Sequence, residues 1–178
     1  MIRYVALHAA VCMTMSGVYV LRAAPPPASV CDLLANPQSF NHKLIAVRGV
    51  QVATGEGVWL DGNGCTKRIT AGGYQWPDIM WIELSDRVRR EAGFNVEPLR
   101  TDVARIDAQL KKQVYNPRRD RLWITYVGRF ETYDDFEHHV LRDSAGSRGI
   151  GFGHLNSAPA MLIVTAVRDA FVERRAIK

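Results

Sequence analysis

A break in an alternating apolar pattern constrains the fold of this chain more than any other feature. In the segment KLIAVRGVQVAT, Ile45 and Val47 lie on one face of an extended strand, whereas Val50 and Val52 fall on the opposite face. Gly49 stands at the break, where a β-bulge would return the two later valines to the inner face. The pattern therefore predicts one long strand with a sharp bend at its glycine.

Further strands and helices follow from the periodicity of the rest of the sequence. The apolar residues from Leu99 to Val114 recur at steps of three or four, which predicts an amphipathic helix. Residues 85–97, which precede this helix, are polar and are expected to be irregular. The C-terminal tail either extends the strand predicted at 160–169 or makes a helical turn. The other predicted elements are a short helix at 30–35 and strands at 58–61, 78–84, 121–133 and 160–169.

The order strand, strand, strand, helix, strand, strand resembles the OB-fold. The resemblance covers residues 40–170 and rests on that order, on the bent first strand and on the Val127-Gly128-Arg129-Phe130 run in the fourth. It implies a mainly β fold, a five-stranded OB-like Greek-key barrel with one helix between strands 3 and 4. The chain is also similar to small exported bacterial proteins with an OB-like domain. The short second strand and the long connection at 134–160 depart from the pattern.

The first 23 residues indicate a leader for export. Arg3 supplies a positive charge ahead of a run from Tyr4 to Leu21 that carries no charged residue except the weakly basic His8. A basic start, an apolar core and a small-residue exit are typical of a secretory signal peptide. An uncleaved membrane anchor is the alternative, because about 18 apolar residues nearly span a bilayer.

Loss of the leader changes what the charge implies. Arg3 and Arg22 lie within it, so its removal lowers the formal net charge of +5 by two. The remaining charge gives no reason to expect a nucleic-acid partner. The mature chain would be a proline-rich tether at 24–29 and a single domain at 30–178. We expect it in the periplasm or secreted, with membrane contact only through an uncleaved leader.

The cysteines are consistent with export. Cys12 lies in the leader, which leaves Cys31 and Cys65 as an even pair in the mature chain. A bond between them would stabilise the fold by about 3–4 kcal/mol. Two free thiols are the alternative reading.

The segment RGIGFGHLNSAP carries three alternating glycines, Gly149, Gly151 and Gly153. Their spacing and flanks differ from the dinucleotide-binding fingerprint, and the Gly-Lys-Ser/Thr of a P-loop is absent. The glycines are therefore predicted to let the backbone turn tightly or approach another segment. His154, which follows them, is predicted to hold this loop through hydrogen bonds, with a role in ligand binding or catalysis as the alternative.

A second segment, YDDFEHH at 133–139, contains residue types that bind metals. Asp135 and His138 could form a metal site together with His154. Neighbouring histidines of an extended chain point in opposite directions, so only one of the pair could join a given site. The segment has no HExxH-like spacing, and a solvated acidic loop is the alternative.

Two tryptophans suggest a binding face. Trp59 and Trp81 are predicted to face outward on the second and third strands, the face on which OB-folds bind oligonucleotides and oligosaccharides. Asp61 and Glu83 share that face and would repel a phosphate backbone. The alternative is that the tryptophans pack beneath the 134–160 connection. The candidate ligand-binding residues are Trp59, Trp81, Arg48, Arg129 and His154.

The sequence favours an exported, non-catalytic OB-like binding module, with no cofactor. Its partner would be a polymer, such as a glycan, or a protein in the cell envelope. One alternative is a metal-dependent hydrolase that uses His154 with the acidic and histidine loop at 134–139. Another is an envelope assembly or stability protein.

Overall fold

A six-stranded mixed sheet forms the framework of residues 26–174, the part of the chain that the computed structural model describes. The predicted leader at 1–23 lies outside the described residues. The helices are α1 Val30–Ala35, α2 Asp86–Glu91 and α3 Glu97–Lys112. The strands are β1 Ala28–Ser29, β2 Leu44–Thr54, β3 Gly57–Asp61, β4 Thr70–Ala71, β5 Tyr74–Gln75, β6 Ile79–Glu83, β7 Asp120–Thr132, β8 Val140–Asp143, β9 Gly146–Gly149 and β10 Ala160–Arg174.

Five of these strands pair in a cycle. β2 pairs with β3, and β3 with β6, in antiparallel fashion; β6 then pairs with β10 in parallel. β10 pairs with β7, and β7 returns to β2, both antiparallel. All five predicted strands are present, and the mainly β class is confirmed. β4 with β5 and β8 with β9 form two small hairpins outside this sheet.

The predicted bulge at Gly49 is wrong. β2 keeps a one-to-one register with β7 from Leu44 to Gln51, so the alternation continues through the glycine and Val50 stays on the outer face. Gly49 is needed for a different reason. A Cβ atom there would lie 2.9 Å from Val30 of α1, so the glycine allows α1 to pack closely on the strand.

The register shifts lie in β10 instead. Two irregularities occur in its pairing with β7, one on each side of Val167. Helix α3 satisfies the backbone there: Asp102 accepts a hydrogen bond from the Val167 N–H at 2.9 Å, and Arg105 donates to the Val167 carbonyl at 2.9 Å. Gln109 donates to the Ala170 carbonyl at 2.9 Å. The helix therefore docks along β10 through polar side chains.

Two helices, not the predicted one, separate β6 from β7. The short α2 has the sequence DRVRRE with a single apolar residue, which explains why its helical character leaves no periodic signal. Arg89 holds it in place although this side chain is only 1% exposed. Its guanidinium donates to the Val164 carbonyl at 2.7 Å, to the backbone of Asn95 and Val96, and to Asp86. A buried arginine thus joins α2 to β10 with its donors satisfied.

The apolar interior has two parts. The main core lies among the five paired strands, α1 and α3, and includes Leu33, Leu60, Met80, Phe130 and Leu162. A smaller cluster forms where the 134–160 connection meets the loop between β3 and β6. Its buried members are Ala71, Trp76 and Phe136.

The N-terminal tether is partly structured. Ala28 and Ser29 form β1, which pairs in parallel with β2, and Ser29 then caps α1 in a reciprocal arrangement with Asp32. The predicted Cys31–Cys65 disulfide is confirmed, with its Cα atoms 5.2 Å apart. Such a bond fits an oxidising compartment. Within residues 26–174, no helix has the length and apolar character needed to cross a membrane.

Candidate functional site

The three alternating glycines lie against tryptophan rings. A Cβ atom would fall 2.5 Å from Trp76 at Gly149, 2.7 Å from Trp76 at Gly151, and 2.2 Å from Trp81 at Gly153. These distances leave no space for a side chain, so only glycine permits the loop to lie on the rings. The predicted close approach of this backbone to another segment is confirmed.

The predicted tryptophan face is therefore largely occupied. Trp59 and Trp81 point outward, as expected, and pack edge to face with ring centroids 5.2 Å apart. The loop covers Trp81 through Gly153, and the Trp59 indole nitrogen is buried without a hydrogen-bond partner. A ligand that stacks on these rings would have to displace the glycine loop.

His154 links this loop to the turn between β2 and β3. Its Nε2 lies 3.4 Å from a carboxylate oxygen of Glu56, and both side chains are partly exposed. The next two residues, Leu155 and Asn156, both adopt left-handed backbone conformations, with φ of 54° and 52°. The Leu155 side chain is 80% exposed. His154 contacts a neighbouring loop, while the leucine beside it projects into solvent.

The candidate metal ligands do not gather. Asp135 pairs with His138 at 2.7 Å, whereas His154 faces Glu56. The hydrogen bond from the Glu137 N–H, together with His138, lowers the pKa of Asp135 below its ordinary value. No group of three or more potential metal ligands occurs in the described part of the chain.

The two candidate arginines serve different parts of the surface. Arg129 pairs with Glu131, donates to the Ala92 carbonyl at 3.3 Å and lies over the Phe94 ring at 5.6 Å. These contacts tie the loop after α2 to β7, so the guanidinium is used within the fold. Arg48 lies elsewhere, on the outer face shared by β2, β7 and β10.

Arg48 belongs to a polar network on that outer face. Its guanidinium donates to the Thr125 hydroxyl at 3.0 Å and to the Asp169 carboxylate at 2.9 Å. The Thr125 hydroxyl in turn donates to Asp169 at 2.9 Å. Arg48 and Asp169 are 39% and 41% exposed, so this ion pair remains accessible from solvent.

Two aromatic rings lie directly beside this network. Trp123 on β7 pairs across the ladder with Phe171 on β10, and the rings stack with centroids 6.0 Å apart and an interplanar angle of 4°. Arg48 lies 5.9 Å from the Phe171 ring, which is 44% exposed. We call Arg48, Trp123, Asp169 and Phe171 the outer platform.

A groove adjoins the outer platform. It has a volume of about 400 Å³ and runs along the end of β2, where Val50 and Val52 face outward, toward Arg121. Glu173 lies at the boundary, accepting a hydrogen bond from the Trp123 indole at 2.6 Å and lying 3.9 Å from Arg121. Asp120 also lines the groove and pairs with Arg119 at 2.8 Å, so three arginines and three carboxylates form ion pairs in this region.

Of the four residues of the outer platform, only Arg48 is among the ligand-binding candidates predicted from the sequence. Phe171 lies in the tail for which the sequence allows either a strand or a helical turn. The continued alternation through Asp169, Phe171 and Glu173 is the signal that could have placed these side chains on one face.

No family model, no curated protein and no solved structure matches this chain. Its function is therefore argued from its own surfaces. Among the sites predicted from the sequence, the tryptophan face is covered and the metal ligands are separated. The outer platform combines exposed aromatic area with accessible hydrogen-bonding groups, and it is the best-formed candidate.

Proposed function

We propose that this chain is an exported, non-catalytic OB-like module that binds an uncharged polymer, specifically a glycan, on its outer platform. Five strands pair in a cycle, and the helices α2 and α3 lie between its third and fourth strands in chain order, which are β6 and β7. This arrangement supports the OB-like assignment. The leader-like N-terminus and the Cys31–Cys65 bond support export. A fold of this kind hosts many functions, so the surface carries the proposal.

The observation that carries it is the exposed Phe171 ring in a stack with Trp123, beside the Arg48–Asp169 pair. Aromatic rings offer rigid apolar area on which the carbon face of a sugar ring can pack. The charged pair offers donors and acceptors for the hydroxyl groups at the edge of such a ring. Stacking and hydrogen bonding are thus available side by side.

The charge of this surface favours an uncharged ligand. Asp169, Glu173 and Asp120 pair with Arg48, Arg121 and Arg119, so each of these three arginines already has a carboxylate partner and is less available to a phosphate backbone. A nucleic acid would therefore gain little from electrostatics here. The affinity for a neutral oligosaccharide does not depend on a net positive charge of this surface.

The experiment compares two variants of equal starting exposure. Phe171→Ala removes the stacking ring, and Leu141→Ala is the control, because Leu141 is also 44% exposed but lies in the β8–β9 hairpin. The purified chain is titrated with an N-acetylglucosamine tetramer, which is uncharged, and tryptophan fluorescence is recorded at low and high salt.

We expect salt-independent binding that Phe171→Ala weakens about tenfold, since an anchor residue contributes more than about 1 kcal/mol. The control should bind like the wild type. Absence of binding by the wild type, or equal weakening by both variants, would overturn the proposal. Binding of an oligonucleotide that salt weakens would contradict the charge argument.

The envelope-assembly alternative rests on a different feature, the exposed Leu155 in its left-handed conformation. Such backbone conformations are costly and persist where the surrounding structure enforces them, which is common at functional loops. A photo-crosslinker at position 155 that captures one defined envelope protein would support it if the same group at position 141 does not. The hydrolase alternative lacks an assembled ligand set within residues 26–174.

A further inference from the structure

A cavity of about 140 Å³ lies between helix α3 and the inner face of the strands, on residues that the outer platform does not use. Eight of its eleven lining residues are aliphatic. Val58 and Ile124 contribute from the strands, Leu84 from the end of β6, and Val103 and Ile106 from α3. Apolar pockets at the mouths of β-barrels commonly bind ligands, and a cavity of about 140 Å³ is below the usual size range, which restricts the ligand to a small one.

The way α3 docks leaves this cavity open. Its polar side chains Asp102, Arg105 and Gln109 fix the helix to β10, at one side of the strand cycle. Ile106 is buried on the inner face of the helix, but Val103, one turn earlier, is 39% exposed. The helix therefore spans the apolar interior without filling it, and Val103 lies at the mouth.

One polar pair lines the cavity. The Tyr126 hydroxyl donates to the Gln51 side-chain carbonyl at 2.7 Å; Tyr126 is only 4% exposed, whereas Gln51 is half-buried. Burial raises the pKa of Tyr126, and the nearby Asp107 carboxylate adds to this, so the hydroxyl stays protonated. The Gln51 amide nitrogen makes no hydrogen bond to another residue among those described, which leaves a donor for a ligand oxygen.

The charged residues of the lining favour an uncharged ligand over an anion. Asp107 is its one acidic residue, and neither lysine nor arginine lines the cavity. Asp107 is exposed, at the surface end of the lining. An anion in the cavity would have no cation in the lining to pair with, and burying an unpaired charge is costly. Apolar cavities of about 150 Å³ accept a molecule the size of benzene.

We propose that this cavity binds a small uncharged molecule built on one six-membered ring, with an oxygen that accepts a hydrogen bond from Gln51. Phenol is the probe, and benzoate is its anionic counterpart of similar size. None of the four residues of the outer platform lines this cavity, although Gln51 lines both the cavity and the groove beside the platform. Phenol binding and its block by substitutions at the cavity mouth therefore test this proposal separately from the glycan proposal.

The test uses the intact chain and two substitutions on the same helix. Val103→Trp places an indole in the mouth at a half-exposed position, and Ala108→Trp is the control at an exposed position outside the cavity lining. Calorimetric titration measures affinity, and circular dichroism checks that each variant is folded. Leu84→Phe narrows the mouth from the strand side and serves as a second block.

We expect the wild type and Ala108→Trp to bind phenol equally and to bind benzoate at least about tenfold more weakly. Val103→Trp and Leu84→Phe should each weaken phenol binding at least about tenfold. Gln51→Leu should weaken phenol binding but leave benzene binding unchanged. Failure of the wild type to bind either phenol or benzene would overturn the proposal, as would undiminished binding by both blocked variants.

Discussion

Replacement of Gly153 by alanine tests whether the glycine loop is fixed by its contact with Trp81. The new Cβ atom would fall 2.2 Å from two atoms of the indole. The ring cannot move away easily, because Gly57 lies against the outer edge of its six-membered ring, where a Cβ would be 2.1 Å away, and Trp59 packs on it edge to face. The loop must therefore give way.

Two costs add at this position. Gly153 has a φ of 75° and a ψ of −159°, a region that essentially only glycine adopts, and another residue held there costs about 1–3 kcal/mol. Overpacking against a ring that is held on several sides costs about 1–3 kcal/mol more. We therefore expect Gly153→Ala to lower the free energy of unfolding by about 2–6 kcal/mol, measured by urea denaturation.

Two other glycines separate these costs. Gly93 has a φ of 83°, but no atom lies within 4 Å of the point that a Cβ would occupy, so Gly93→Ala reports the cost of a positive φ without a steric clash. Gly55 has open space and no positive φ, and Gly55→Ala should be nearly neutral. In a double-mutant cycle, Trp81→Ala should recover about 1–3 kcal/mol of the Gly153→Ala penalty, the steric part.

A clear result would refute this reasoning. If Gly153→Ala destabilises the fold no more than Gly93→Ala, and the cycle shows no coupling to Trp81, then the glycine loop does not rest on the indole. The conclusion that the glycine loop covers the tryptophan face would then be wrong, and Trp81 would again be a candidate for stacking on a ligand.

Two further outcomes follow from the bonds around α1 and β6. Reduction of the Cys31–Cys65 bond, which spans a sequence separation of 34, should lower the free energy of unfolding by about 3–4 kcal/mol in urea, and the double serine variant should not respond to reductant. Burial raises the pKa of Asp78, but hydrogen bonds from backbone N–H groups, chiefly Cys65, and the nearby Arg68 outweigh it and hold the pKa below its ordinary value. Because the folded-state pKa is the lower one, this stabilisation is present above about pH 4 and is lost as the pH falls through the folded-state pKa. In urea denaturation, the free energy of unfolding of Asp78→Asn should therefore fall less steeply than that of the wild type as the pH is lowered.

The strands and α3 are predictable because their signals are local. Alternation over a few residues, or apolar steps of three and four, depends on no distant partner. The bulges are not predictable in the same way. The break at Gly49 looks like a slip in register, yet the extra residues lie in β10, where Asp102 and Arg105 of α3 accept and donate to the backbone around Val167.

The candidate site depends on contacts between residues that are far apart in the sequence. Phe171 reaches the outer face beside Trp123 only because β10 continues beyond its two irregularities. Arg48 is a candidate from the sequence alone, but its partners Thr125 and Asp169 lie far along the chain. The outward direction of Trp59 is predictable from alternation. The contact of the glycine loop with Trp81 is not predictable in this way, because a covering loop leaves no periodic signal. The sequence leaves both an exposed and a covered tryptophan face open.

The position of β10 in the strand cycle has a consequence for synthesis. It is the last strand in the described chain, yet it pairs with both β6 and β7 and supplies the carbonyls that anchor α3. A growing polypeptide would expose one unpaired edge on each of those two strands until β10 emerges. Premature termination before residue 160 would thus leave two strand edges with unpaired backbone groups. Such products should pair with one another through these edges and aggregate.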